Sequence, residues 1–254
     1  MREILIVGNW KMNPVSARLA EKTFVEIRKK IVSIRGVSVT VCPPAPYFSL
    51  FKKSRLVSLG AQNIFYQKEG AFTGEISVNM LKDFGIKYVI VGHSERRMLG
   101  ETNEDVSKKV SILLKAGLRP IVCIGEQNRD VGHKYLQFVD QEIKSACSFV
   151  SKKLISKIIF AYEPIWAVGK DAVRQATSGE VREMGIFIHK VISDLSTPNI
   201  SKSVRILYGG SVDEKNAREF IEKGRMDGLL VGRVSLNANK FSKLVESCKL
   251  TKDK

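Results

Sequence analysis

The chemically interesting residues of this chain sit at the ends of its apolar runs. The run Ile158-Ile159-Phe160-Ala161-Tyr162 stops on Glu163, and Pro164 follows at once. Proline has no N–H to give to a sheet, so pairing is expected to stop near Glu163 and leave its carboxylate on a rim, with an apolar loop behind it. A carboxylate held there suits general-base work near neutral pH. Other runs end in comparable groups: Asn9-Trp10-Lys11, His93-Ser94-Glu95-Arg96-Arg97, Cys123-Ile124-Gly125-Glu126, Tyr208-Gly209-Gly210-Ser211, and Gly232. Lys11, just past a buried strand, can aim a cation over the rim at an anion. Ser94 can cap a short helix beginning at Glu95. A helix N-terminus beside His93 disfavours imidazolium and leaves a neutral ring able to donate a hydrogen bond. The glycines let backbone N–H groups approach a ligand closely, which suits a phosphate. Each group has a plain alternative: a solvated glutamate or lysine, a hydrogen-bonded core histidine, a pair of glycines that only turns the chain. His133 and His189 have no such setting and are expected on a loop and on a helix surface.

These groups can act together only if the elements carrying them converge. Strand candidates at 4–8, 37–42, 58–62, 87–92, 119–124, 158–163, 204–209 and 227–232 are rich in β-branched residues and bounded by Gly, Pro or Asn. Helical spacing fills most gaps. It covers 16–34, with Leu19, Thr23, Ile27, Lys30 and Ile31 near one face, then 132–150 and 178–195, where Thr177-Ser178-Gly179-Glu180 fits a capping box. Strict strand–helix alternation implies a parallel sheet with helices outside. An open, doubly wound sheet shares the local pattern, but a closed (β/α)8 barrel brings all these strand ends to one rim. No GxGxxG follows the first strand and no GxxxxGK[ST] occurs in the sequence, so nucleotide binding lacks support. At 254 residues, with no linker, low-complexity tract or repeat, the chain is read as one α/β domain over 1–254, with 250–254 a frayed tail.

A formal net charge of +16 attracts nucleic acid, anionic membrane or small anionic substrates. The lysines are scattered, however. Lys29-Lys30, Lys52-Lys53, Lys108-Lys109 and Lys152-Lys153 fall on expected helices, and no basic block carries the interleaved aromatics of an RNA-binding sheet. Solvated helix faces account for them, and neither nucleic acid nor membrane is expected as a partner. No apolar run is long enough to span a bilayer. The first nine residues place an acid before the apolar run, with no small-residue cleavage site, and read as a strand rather than a signal. Cys42, Cys123, Cys147 and Cys248 are widely spaced, with no CxxC or Cys/His cluster, which argues for a reduced, cytoplasmic setting.

Five segments then fall into a known order: Gly8-Asn9-Trp10-Lys11-Met12-Asn13, Gly70-Ala71-Phe72-Thr73-Gly74-Glu75-Ile76-Ser77, Val91 to Arg97, Tyr162 to Gly169, and Tyr208-Gly209-Gly210-Ser211. Over nearly the whole chain they resemble the triosephosphate isomerase family. The resemblance implies a TIM barrel that interconverts dihydroxyacetone phosphate and D-glyceraldehyde 3-phosphate through an enediolate, in glycolysis and gluconeogenesis, with no metal or organic cofactor. It also implies roles. Glu163 moves a proton between two carbons, His93 and Asn9 polarise the substrate oxygens, Lys11 offsets charge on the intermediate, and Glu95 positions Lys11. Gly169, Ser211, Gly210 and Gly232 hold the phosphate, with the Arg233 N–H as a further donor. The loop from Pro164 to about Arg174 closes over it, with Trp166 carrying the apolar face. Another phosphate-binding barrel enzyme would share the glycines and the charge, but has no need of Asn9, Lys11, His93 and Glu163 together.

Two positions depart from the family pattern. Gly169 is followed by Lys170-Asp171-Ala172 where Thr-Gly-Lys is usual, and Arg233 stands where a second glycine is usual, which requires a backbone free of positive φ there. The loop at 64–76 carries Phe65, Tyr66 and Phe72 and is too apolar to be left in water. The resemblance implies that it docks into a twin subunit, making a homodimer with Thr73 near the partner subunit's active site.

Overall fold

The computed structural model describes residues 2–51, 54–167 and 173–249. Its strands are β1 (Ile4–Asn9), β2 (Val37–Cys42), β3 (Val57–Ala61), β4 (Tyr88–Val91), β5 (Arg119–Ile124), β6 (Ile159–Tyr162), β7 (Arg205–Tyr208) and β8 (Gly228–Val231). Each pairs in parallel with the next, and β8 returns to β1 with Val7 opposite Leu230, so the sheet closes. The expected (β/α)8 barrel is therefore the architecture. Strands in such a sheet are covered on both faces, which is why they read as unbroken apolar runs. Leu5, Val7, Ile90, Ile121, Ile159 and Leu207 fill the barrel interior. Their neighbours Ile4, Ile6, Val89, Val91, Val122 and Phe160 face the surrounding helices.

The helices follow the sequence with local adjustments. Ser16 caps the helix Ala17–Ile31 through the Leu19 N–H, and the buried stripe is Ala20, Thr23, Phe24, Ile27 and Ile31. Leu19 and Lys30 are exposed, so the core-facing stripe is rotated from the expected one; Phe24 selects it by packing 4.5 Å from the Phe51 ring. The helix expected at 132–150 runs Lys134–Cys147, because Asp130 accepts the N–H groups of Lys134 and Tyr135 and thereby sets the first turn. Ser178–Leu195 matches expectation, and its capping box is formed: Thr177 Oγ1 accepts the Glu180 N–H at 3.2 Å while Glu180 accepts the Thr177 N–H at 2.8 Å.

Two expectations about helix surfaces are corrected. Lys109 is buried rather than solvated, donating to Asn63 at 2.9 Å and pairing with buried Glu101. His189 is half-buried: its Nδ1 lies 3.2 Å from Ser201 Oγ, which donates to the His189 carbonyl and ties Ser178–Leu195 to Pro198–Ser203. Lys52, Lys53 and residues 250–254 lie outside the described residues. Among the described residues, no helix is long and apolar enough to cross a membrane.

Candidate active site

β1 delivers Asn9 and Lys11. Asn9 is 5% exposed, and its Oδ1 accepts the Lys11 N–H at 3.0 Å. That contact bends the chain sharply, with Lys11 at φ 53, a left-handed conformation that costs energy for a residue with a side chain. Gln62 holds the bend by donating to the carbonyls of Lys11 and Cys42, both at 2.8 Å. The Lys11 ammonium then reaches Glu95 Oε1 at 2.5 Å. A Cβ added to Gly232 would stand 3.9 Å from Lys11 Cε, so this side chain links the ends of β1, β4 and β8.

His93 follows β4 and corrects the expected cap. It is the His93 ring, not Ser94, that caps the helix Ser94–Met98, its Nδ1 accepting the Glu95 N–H at 3.2 Å. A ring nitrogen that accepts carries no proton, so the neutral ring has its hydrogen on Nε2. That Nε2 lies 3.4 Å from Glu163 Oε1. Both side chains are buried, and Glu163 Oε2 has no protein hydrogen-bond partner.

Glu163 stands where the proline argument puts it. β6 ends at Tyr162, the Glu163 N–H makes one last bond to the Ile124 carbonyl at 2.8 Å, and pairing stops. Two glycines make room for it: a Cβ at Gly125 would fall 2.0 Å from the Glu163 carbonyl oxygen, and one at Gly209 would fall 2.7 Å from Glu163 Cγ. Beneath it, burial first and then the Glu163 carboxylate push the Cys123 thiol well above the usual range.

On the β7–β8 side, Ser211 donates from Oγ to the Ala167 carbonyl at 2.9 Å. Gly210 packs on the Tyr208 hydroxyl, which is buried without a hydrogen-bond partner. Gly232 has φ −84 and precedes the short helix Arg233–Leu236, and Arg233 is not among the residues with positive φ, so its side chain brings no left-handed strain. Gly169 and the altered lid tip, Lys170-Asp171-Ala172, lie outside the described residues. A cavity of about 360 Å³ opens beside the rim, lined by Asn9, Lys11, His93 and Glu95 on one side and by Met12, Gln62, Gly74 and Ile76 on another.

Sequence reasoning missed how Glu126 and Trp166 are used. Glu126 was grouped with the rim chemistry, but it is 1% exposed and its Oε1 gathers Tyr162 Oη at 2.8 Å, Trp166 Nε1 at 2.9 Å and Arg129 Nε at 3.2 Å. Burial, with Glu126 second, drives the Tyr162 phenol far above its ordinary value, so it stays a donor. Trp166, expected to carry the apolar face of the loop, is 8% exposed, with the Arg174 guanidinium 4.4 Å from its ring centroid. Arg174 also grips Glu180 and holds that carboxyl down to about 2. The Val173 N–H returns to the Trp166 carbonyl at 2.8 Å, joining the two ends of the segment.

Comparison with known proteins is consistent along the chain. A family model described as triosephosphate isomerase matches residues 4–248. A curated protein named triosephosphate isomerase, from Natranaerobius thermophilus, is 38% identical over 251 residues, which is 97% of this chain and 96% of that protein.

Proposed function

We propose that this chain, which belongs to the triosephosphate isomerase family, interconverts dihydroxyacetone phosphate and D-glyceraldehyde 3-phosphate through an enediolate, the isomerisation shared by glycolysis and gluconeogenesis. One arrangement carries the residue assignment: the neutral His93 Nε2–H, 3.4 Å from a buried Glu163 carboxylate whose second oxygen finds no protein partner. Buried polar atoms are nearly always satisfied, and an orphaned carboxylate oxygen on a rim suits a base that meets its proton only when substrate is bound. Glu163 takes a proton from one substrate carbon and returns it to the next. His93 donates from Nε2 to the oxygens on those carbons, stabilising negative charge as it develops, and the hydroxyl proton given up by one oxygen passes by way of the ring Nε2 to the other. Asn9 spends its Oδ1 on Lys11, which leaves the amide NH2 free to donate to substrate. Lys11, steadied by Glu95, offsets the charge of the intermediate.

The phosphate falls to the β7–β8 side, where Gly210, Ser211, Gly232 and Arg233 offer backbone N–H groups, and the family resemblance adds the N–H of Gly169, which lies outside the described residues. The segment from Pro164 to Arg174 excludes water, which protects an enediolate phosphate from losing its phosphate. The working form is a homodimer in the cytoplasm. Met12, Met98 and Leu99 are 92%, 77% and 81% exposed, an apolar surface suited to a second subunit, and the cavity beside Asn9, Lys11 and Glu95 suits the partner's Thr73. Phe65 is less exposed than expected, because it stacks on Tyr66 and Phe72 at 4.4 and 4.6 Å; Phe72 remains 43% exposed at the loop's surface. Four buried, unpaired cysteines fit a reducing compartment. The test is turnover of D-glyceraldehyde 3-phosphate by the purified protein, coupled to an enzyme that consumes dihydroxyacetone phosphate. No rate above the uncatalysed background would sink the assignment.

A further inference from the structure

Behind the rim lies buried charge that touches no substrate-facing group. Glu142, on the helix Lys134–Cys147, is 2% exposed and shares its buried stripe with Tyr135, Val139, Ile143 and Ala146. Its Oε2 accepts the Gly125 N–H at 2.9 Å, and its Oε1 lies 3.2 Å from Arg97 Nη2, off the line of that N–H. Arg97 in turn donates from Nε to the Gly92 carbonyl at 2.8 Å and from Nη1 to Asn103 at 2.7 Å. Gly92 immediately precedes His93, and Gly125 is the residue wedged against the Glu163 backbone. Glu142 and Arg97 thus join the chain end that carries the imidazole to the chain end that supports the base.

Packing alone does not explain a carboxylate here. Burying an ion pair costs desolvation that a well-packed apolar residue avoids, so such a pair is weak evidence for stability. The two backbone groups it grips, Gly92 O and Gly125 N–H, lie just past β4 and β5, where ladder pairing has ended and something else must fix the chain. We propose that Glu142 and Arg97 are a positioning pair for the isomerisation, setting the approach of the His93 ring to the Glu163 carboxylate by tying together the backbone ends on which they ride. This rests on the isomerase reading above.

The pair is also sensitive to pH. Burial raises Glu142 to about 7, while Arg97 and the Gly125 N–H pull the other way and the Glu163 and Glu126 carboxylates add to the rise. Near neutrality Glu142 therefore passes from a carboxyl that only holds Gly125 to a carboxylate that also holds Arg97. The sign for stability is opposite to that for function. A folded value above the ordinary 4.5 means the folded protein binds this proton more tightly, so the stability Glu142 contributes is present below 4.5 and is lost as pH rises toward 7. The ionised state that positions the site is the less stable one.

Glu142→Gln keeps the shape and the acceptor for Gly125 but cannot ionise. At about pH 8 we expect kcat to fall roughly tenfold with KM changed by less than about twofold, because small misplacements of reacting groups cost rate rather than affinity. The fall of wild-type kcat as pH drops through about 7 is expected to be reduced in the variant. Its melting temperature at pH 8 should be no lower than wild type, an outcome that a purely structural role for Glu142 would reverse. Arg97→Lys, which keeps the charge but not the fork, should lose kcat in the same way. Wild-type kcat and an unaltered pH profile in Glu142→Gln would overturn the proposal. A wild-type protein inactive on triose phosphates would instead overturn the functional reading on which it stands.

Discussion

Between β4 and β6 the rim is held by buried side-chain charge, and between β7 and β8 by bare backbone. On the first side Glu101 accepts the Gly92 N–H at 3.0 Å, Arg97 donates to the Gly92 carbonyl, Glu142 accepts the Gly125 N–H, and Glu126 gathers Tyr162, Trp166 and Arg129. On the second side Gly209, Gly210 and Gly232 present main chain, and the Ser211 hydroxyl makes one bond to Ala167. On the proposed assignment the difference follows from what each side handles. Proton transfer depends steeply on the placement of two or three atoms, so the residues that perform it are clamped from behind. A phosphate dianion asks for many N–H donors at close range, which glycine provides and side-chain bulk would block.

This contrast predicts which kinetic constant each substitution moves. Glu163→Gln removes the base and keeps the shape, so kcat should fall by roughly 10²–10⁴-fold while a phosphate-bearing inhibitor still binds, as equilibrium titration would report. Loss of binding along with rate would break the division between the two sides. His93→Gln should lower kcat by about 10² with KM little changed; an unchanged rate would remove this ring from the chemistry. Gly209→Ala crosses the boundary: it lies on the backbone side, yet its added Cβ would press on Glu163 Cγ at 2.7 Å. We expect a loss of about tenfold in kcat rather than in KM, and a pure KM effect would mean that Glu163 can yield without cost. The smallest effect is expected from Ser211→Ala, which gives up one hydrogen bond worth about 1 kcal/mol and should raise KM a few-fold in steady-state assays.

The same two sides differ in how far they can be read without a structure. The strands were legible because β-branched runs between Gly and Pro have little alternative in a parallel barrel, and the observed limits fall within a residue of the expected ones. Glu163, His93, Lys11 and Asn9 were legible as polar residues placed directly after such runs. Glu142, Glu101 and Lys109 were not, because their pairs form between the helices of neighbouring units or between a helix and the loop before it, and Arg97 was legible only as part of the run after β4, not as the partner of Glu142. A signal was present all the same. Glu142 interrupts the apolar stripe of Tyr135, Val139, Ile143 and Ala146, and Lys109 shares a buried face with Val106, Val110 and Leu113. A charge on an apolar stripe announces a buried partner, though not which one. The His93 cap escaped notice for a different reason. Serine is the usual capping residue, and the choice of an imidazole one position earlier depends on where the ring must point.

The two tryptophans are unequally placed, and that inequality makes the protein its own optical probe. Trp10 is fully buried, its indole N–H fixed to the Ser235 carbonyl at 3.1 Å. Trp166 begins the segment that leads from Pro164 to Arg174, bonded to Glu126 and stacked on a guanidinium. Indole emission shifts with the polarity and charge around the ring, so any displacement of Trp166 from Glu126 and Arg174 must alter its light while Trp10 supplies a background. The intrinsic fluorescence of the unlabelled protein thus offers a test of whether the proposed lid moves, with its reference signal built into the same chain.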